Sequence, residues 1–125
     1  MRPHRKLVVW QESILFTKEI YKLCSSLPEL EKFGLVSQLK RAAVSIAANI
    51  AEGAARQSKK EFCRFLYFSQ GSSSEIDTLL ELIKELEYKQ EETLNKYFEM
   101  NERISAMLNG LIKSLHSNIL NKSIV

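Results

Sequence analysis

LVSQLKRAAVSIAANIAEGAAR, at residues 35–56, contains the clearest structural pattern in the chain. Its apolar positions recur at alternating steps of three and four, the spacing of one face of an α-helix. These positions are Val36, Leu39, Ala43, Ile46, Ile50 and Gly53. Alanine has the highest helix propensity, and alanines on several faces let neighbouring helices approach closely. We therefore predict a central helix over residues 35–56.

A row of polar side chains lies along the same segment. Ser45, Asn49 and Glu52 are spaced by four and three residues and so share one helix face. A buried amide without partners costs about 1–3 kcal/mol, so Asn49 needs hydrogen bonds if a neighbouring helix covers it. The row has two interpretations, a polar binding site or a hydrogen-bonded network that fixes helix packing.

The sequence before and after this segment predicts two further helices. Two apolar stripes and a stop before Pro28 predict the first helix over residues 9–25. Ser58 and Glu61 form a Ser-x-x-Glu capping box, which places the start of the third helix at Lys59. Its heptad pattern extends to residue 88, and its Gly71 and serines suit close packing against the alanine-rich helix.

A fourth apolar pattern predicts a helix over residues 91–118, after a turn near residues 88–90 and before a loose tail at residues 119–125. The 125 residues suffice for one domain with a buried core, and four Gly and two Pro argue against an all-β fold. Because the connections are short, we predict a single all-α domain over residues 1–125, an antiparallel up-down-up-down four-helix bundle.

The two cysteines indicate the compartment. Cys24 and Cys63 lie within apolar helical patterns and form no CxxC motif, so we expect reduced core thiols in a cytoplasmic protein. The apolar run at residues 7–10 is too short for a signal peptide or a membrane span. We therefore expect no membrane contact.

Charge is unevenly distributed, although the net charge is only +3. In the predicted topology, one end of the bundle combines eight cations with Glu52 and Glu61, a balance of +6. The cations are Arg2, Arg5, Lys6, Arg56, Lys59, Lys60, Arg64 and Lys122. The other end combines six Glu with three Lys, a balance of −3.

Lys59 and Lys60 occupy the first turn of a helix, where the macrodipole favours acidic residues by about 0.3–1 kcal/mol each. Stability alone would not select lysine there. The basic end is therefore a candidate phosphate-binding surface. Its candidate residues are Arg5, Lys6, Arg56, Lys59, Lys60 and Arg64. The alternatives are a solvated end or a contact with the acidic end of another copy.

The sequence contains no pattern typical of an enzyme. His4 and His116 have no second His or Cys at a metal-ligand spacing, so we predict neither a metal nor another cofactor. Di-iron bundles use Glu-x-x-His motifs, which this chain lacks. No serine lies in a nucleophile elbow. An enzyme with a carboxylate site would require a metal, and we favour a non-enzymatic protein.

Three segments resemble a bacterial four-helix-bundle family first noticed as open reading frames inside intervening sequences of 23S ribosomal RNA genes. They are LVVWQES at residues 7–13, GLVSQLKRAAVSIAANIAEGAAR at residues 34–56 and SKKEFCRFLYFSQGSSSE at residues 58–75. The resemblance implies a cytosolic bundle that assembles into a ring of five copies. Related accessory proteins of diversity-generating retroelements form similar rings and engage a reverse transcriptase and nucleic acid.

The family offers no catalytic residues to transfer to this chain. Its motif positions suit a structural polar network and close packing at least as well as a binding site. In this sequence they are Arg41, Ser45, Asn49, Glu52, Gly53, Gly71, Ser72 and Glu75. Glu75 could reach Ser45 and Asn49, or it could face solvent.

Two functions of different classes remain. The first is a non-enzymatic homo-oligomer, a pentameric ring, whose basic end contacts structured RNA or DNA. The second is a protein-interaction module that docks a partner helix or enzyme and binds no nucleic acid. Each helix has about two apolar stripes, and the exposed apolar patch that this predicts is typical of an interface.

Overall fold

Four α-helices form the computed structural model: α1 (Val8–Ser25), α2 (Leu35–Ala54), α3 (Lys59–Glu85) and α4 (Glu91–Ile124). Short 3-10 helices lie at Pro3–Lys6 and Glu29–Glu31. The structure describes the backbone of residues 1–124 and the side chains of residues 1–117. Within that backbone there is no strand.

Each helix packs against two neighbours, in the cyclic order α1, α2, α3, α4 and back to α1. Over the described part of the chain, helices on opposite corners of the bundle do not approach each other. Short connections make successive helices antiparallel, which confirms the predicted all-α up-down-up-down bundle. Side chains from all four helices fill the core. Those with no exposed surface include Phe16, Ile20, Leu39, Ile46, Ile50, Leu66, Leu80 and Leu108.

The helix ends differ from the predicted bounds at four places, the first being the start of α1 at Val8 rather than residue 9. α2 ends at Ala54 rather than residue 56, and α3 ends at Glu85 rather than residue 88. The turn after α3 therefore begins at Leu86, and Glu87 adopts a left-handed conformation with φ of 62°. α4 extends to Ile124 instead of ending at residue 118. No Gly or Pro follows Gly110, so nothing in that sequence interrupts the helix. Val125, in the predicted tail, lies outside the described residues.

The start of α3 follows the predicted capping pattern. The backbone N–H of Glu61 donates a hydrogen bond to the Ser58 hydroxyl at 3.1 Å. Ser58 has extended backbone geometry, as an N-cap residue requires. The cap holds the connection between α2 and α3 to a few residues, and it places Lys59 and Lys60 in the first turn of α3.

α2 and α3 have the most extensive interface of any helix pair in the described part of the chain. A β-carbon added at Gly53 would lie 2.8 Å from Phe65 Cβ and 2.9 Å from Phe62 Cδ1. Farther along, the hydroxyl of Ser69, which is fully buried, donates to the Ile46 carbonyl at 2.9 Å. Gly71 does not take part in this close packing, because no atom lies within 4 Å of an added β-carbon. Gly53 and Ser69 are therefore the small residues at which α2 and α3 approach closely.

Candidate nucleic-acid interface

The predicted cations from three segments meet at one end of the bundle. The 3-10 helix Pro3–Lys6 packs against α1 and α2, which places Arg5 and Lys6 near the end of α2. Arg56 follows that end directly, and the first two turns of α3 supply the remaining candidates, Lys59, Lys60 and Arg64. Lys122 lies on α4 beyond the residues whose side chains are described.

These cations differ in their ion pairing. Arg56 Nη2 lies 2.8 Å from Glu52 Oε2, and Arg64 Nη1 lies 3.6 Å from Glu61 Oε1. Both pairs are exposed, and pairs of this kind contribute at most about 1 kcal/mol. The other four candidates form no ion pair with any acidic side chain of residues 1–117. They are Arg5, Lys6, Lys59 and Lys60. Most of the positive charge is therefore available to an external anion.

Aromatic rings support the arginines of the basic end. The Arg56 guanidinium lies 4.7 Å from the ring centre of Phe65, and that of Arg64 lies 5.5 Å from the ring centre of Phe68. Phe65 and Phe68 contact each other edge to face at 5.5 Å. Cation–π contacts of this kind hold a guanidinium in place while leaving its N–H groups available. The sequence-based prediction missed them, although the four-residue spacing of Arg64 and Phe68 was a readable signal.

A cleft of about 570 Å³ opens on the exposed side of α3 at the same end. Its lining contains basic, acidic and aromatic side chains: Lys60, Glu61, Cys63, Arg64, Tyr67, Phe68 and His116. Cys63 is buried, and this burial raises the pKa of its thiol, so the thiol is a poor nucleophile. The Oε2 atom of Glu61 is buried and has no hydrogen-bond partner among the described residues.

The predicted polar network forms in part. Asn49 Nδ2 donates to the Ser45 carbonyl at 2.9 Å and contacts the Ser45 hydroxyl at 3.0 Å. The Ser72 hydroxyl lies 3.0 Å from that of Ser45, so the three residues link α2 to α3. Glu52 pairs with Arg56 instead. Arg41 and Glu75 are exposed, and neither makes a side-chain hydrogen bond to a residue within 1–117.

A second polar cluster, between α3 and α4, was not predicted. The Ser73 hydroxyl donates to Asn101 Oδ1 at 2.8 Å, and Asn101 Nδ2 donates back to the Ser73 carbonyl at 2.9 Å. Gln70 Nε2 donates to Asn109 Oδ1 at 2.6 Å and to the Ser105 carbonyl at 3.0 Å. Asn101 is buried and satisfied, and this indicates a role in helix register rather than in binding.

Two further classes of site are absent from the described part of the chain. No group of three or more His, Cys, Asp or Glu side chains is arranged to hold a metal ion there. Nor does any described helix combine the length and apolar character needed to cross a bilayer.

Comparison with known proteins gives the family. A family model described as 23S rRNA-intervening sequence protein matches residues 5–110. The chain belongs to this family. A protein of unknown function of the S23 ribosomal protein family from Bacteroides thetaiotaomicron has a similar crystal structure, with a TM-score of 0.79 and 30% sequence identity. The match covers 85% of this chain and 96% of that one. Comparison with curated proteins returned no match.

Proposed function

We propose that this 23S rRNA-intervening sequence protein is a non-enzymatic, cytoplasmic homo-oligomer, a ring of five copies, that binds structured RNA or DNA through its basic end. One observation supports binding most directly. Six cationic side chains from three segments lie at one end, and four of them have no ion-pair partner among the described acids.

The position of the lysines supports an external anion as their partner. Lys59 and Lys60 occupy the first turn of α3, where the macrodipole opposes positive charge. A phosphate placed there would interact favourably with both the lysines and the helix N-terminus. Each phosphate neutralised in this way releases counterions, which predicts binding that weakens steeply with salt.

The exposed apolar side chains support self-association. They lie on α1, on α2 and on the second half of α3, and they include Val8, Leu15, Val44 and Leu82. A small bundle that remained a monomer would leave these side chains in water, and apolar patches are typical of interfaces. The ring of five is the assembly that the family resemblance implies.

Gel-shift titration tests the nucleic-acid interface. The probe is a labelled RNA or DNA hairpin, titrated at two salt concentrations with the full chain and with the Lys59→Gln/Lys60→Gln/Arg5→Gln variant. We expect the variant to bind more weakly and to lower the slope of log K against log salt by about 0.9 for each phosphate that it no longer neutralises. Lys32→Gln/Lys84→Gln/Lys89→Gln, which removes three lysines near the acidic end, is the matched control. Binding by the Lys59→Gln/Lys60→Gln/Arg5→Gln variant that equals binding by the wild type would exclude the basic end.

Light scattering tests the assembly. Five chains of 14.4 kDa give a particle of about 72 kDa. Val44→Glu/Leu15→Glu places charge on two exposed apolar positions, and we expect it to reduce the particle mass while far-ultraviolet circular dichroism stays helical. A wild-type particle of one chain would contradict the proposed ring.

A protein-interaction module is the second candidate, and the connection between α1 and α2 favours it. Leu30 is 77% exposed and Phe33 is 89% exposed, the two highest values among the internal large apolar side chains described. Such residues suit insertion into a groove of a partner protein. Retention of a protein partner after nuclease treatment and high salt, abolished in Leu30→Ser/Phe33→Ser, would support this candidate over nucleic-acid binding.

A further inference from the structure

We infer that the cleft on α3 holds an unpaired nucleotide, with its base against Tyr67 and its phosphate at Lys60 and Arg64. The inference rests on the proposed nucleic-acid function and adds the class of ligand. It predicts that the protein distinguishes looped or single-stranded segments from a fully paired duplex.

The order of side chains along α3 supports this assignment. Lys60, Arg64 and Tyr67 follow at steps of four and three, so they share one face at intervals of about one turn, 5.4 Å. The first two positions are cationic and the third is aromatic. A single strand of nucleic acid presents phosphates and bases to a protein surface, and these suit cationic and aromatic side chains respectively.

The aromatic side chains are open to a ligand. Tyr67 is 53% exposed, and its ring lies 6.5 Å from that of His116 across the cleft. Phe68 is 45% exposed, but the Arg64 guanidinium lies over its ring. Tyr67 therefore offers the free aromatic surface, with Phe68 extending it. Base stacking on such rings tolerates any sequence, because every base has a π-face.

The charge around the cleft favours an anionic ligand, and the aromatic rings beside that charge favour a nucleotide over an isolated phosphate. Lys60, Arg64 and nearby Lys59 supply positive charge on the side of the α3 N-terminus. Glu61 lines the cleft as well, but its Oε2 atom is buried and its Oε1 atom lies 3.6 Å from Arg64 Nη1, so its carboxylate does not cancel the charge of the lysines. In a paired duplex, the bases are stacked on one another and cannot enter the cleft.

The test compares two probes that share a stem and differ in whether they carry unpaired loop nucleotides. One is an RNA hairpin with 2-aminopurine in its loop, and the other is a blunt duplex with the same stem. At fixed salt, we expect the wild type to prefer the hairpin by about five- to a hundredfold and to quench the 2-aminopurine fluorescence. Tyr67→Leu/Phe68→Leu retains every charge, and we expect it to bind both probes with the duplex affinity and to leave the fluorescence unquenched.

Tyr21→Leu provides the matched control, because Tyr21 is an aromatic residue of similar exposure on α1. We expect it to behave as the wild type, and His116→Ala to reduce the quenching without changing duplex affinity. Equal wild-type binding of both probes, or a preference retained by Tyr67→Leu/Phe68→Leu, would overturn the nucleotide assignment and leave the proposed function intact. Failure of the wild type to bind either probe would overturn the proposed function itself.

Discussion

The α2–α3 interface and the α1–α4 interface join neighbouring helices in different ways. α2 and α3 approach closely at two places, where Gly53 faces two phenylalanines and where Ser69 is bonded to the backbone of the facing helix. α1 and α4 have the least extensive interface of the four neighbouring pairs. Their edges are joined by two surface ion pairs, Glu12 with Arg103 and Glu19 with Lys96.

The difference predicts which part of the chain tolerates substitution least. A close backbone approach admits only small side chains, so α2 and α3 depend on the identity of particular residues. An interface joined by surface charges and ordinary apolar packing accepts many alternatives. Three of the six candidate cations and most of the cleft lining lie on α3, so the closely packed half of the bundle positions much of the candidate site.

Gly53→Ala should produce the largest effect on the α2–α3 interface. The new β-carbon would lie within 3 Å of Phe65 and Phe62, so one helix must shift. We expect a loss of about 1–3 kcal/mol in the free energy of unfolding, despite the higher helix propensity of alanine. Urea denaturation of the wild type and the variant at one fixed protein concentration measures this loss in the free energy of unfolding.

Gly71→Ala is the matched control, because the same change at this position meets no atom within 4 Å. There we expect a gain of about 0.5–1 kcal/mol from helix propensity alone. If Gly53→Ala were as stabilising as Gly71→Ala, the close approach of α2 and α3 would not limit the size of residue 53.

Ser69→Ala should have a smaller effect at the same interface. The change removes the hydroxyl that donates to the Ile46 carbonyl, and we expect a loss of about 0.5–1.5 kcal/mol. Ser74→Ala, at an exposed position of the same helix, is the comparison. Thermal unfolding of both variants in parallel measures the difference, and equal melting temperatures would show that the buried hydrogen bond adds nothing.

Local rules predicted the features that depend on neighbours in sequence. The stripe that includes Leu39 and Ile46 is buried, and Ser58 caps α3, because helical period and capping need only a few adjacent residues. The end of α3 was missed because Glu87 takes the left-handed conformation that a glycine usually supplies. Because no Gly or Pro lies at the turn between α3 and α4, the sequence does not indicate where that turn begins.

Features that depend on two helices at once could not be read from the sequence. Asn101 appears as one polar residue on an apolar stripe, and its partner Ser73 is known only when the register of α3 against α4 is known. The same holds for Arg56 over Phe65, which joins the end of α2 to α3. The six candidate cations could be grouped from the sequence, because the predicted topology alone brings the chain start and the α2–α3 connection to the same end of the bundle.

Glu12→Gln should have little effect at the α1–α4 interface. Arg103 Nη2 lies 3.0 Å from Glu12 Oε2, but the arginine side chain is 64% exposed. We expect a loss of about 0.2–1 kcal/mol that disappears at high salt. A double-mutant cycle with Arg103→Gln, measured by urea denaturation, isolates the pair. A coupling as large as the effect of Gly53→Ala would contradict the contrast between the two interfaces.

The pH dependence of the other ion pair should give the smallest signal. A hydrogen bond from Lys96 holds the pKa of Glu19 below the ordinary glutamate value, and Lys22 lowers it further. Because the folded-state pKa is lowered, the contribution of Glu19 to stability is complete above about pH 4.3 and is lost as the pH falls through the lowered value. Lys96 has a raised pKa, so its contribution persists until strongly alkaline pH. We expect Glu19→Gln to flatten the acid limb of the stability profile, with Glu99→Gln, on the exposed surface of α4, as the comparison. An identical acid limb in the wild type and Glu19→Gln would show that this charge pair does not stabilise the α1–α4 interface.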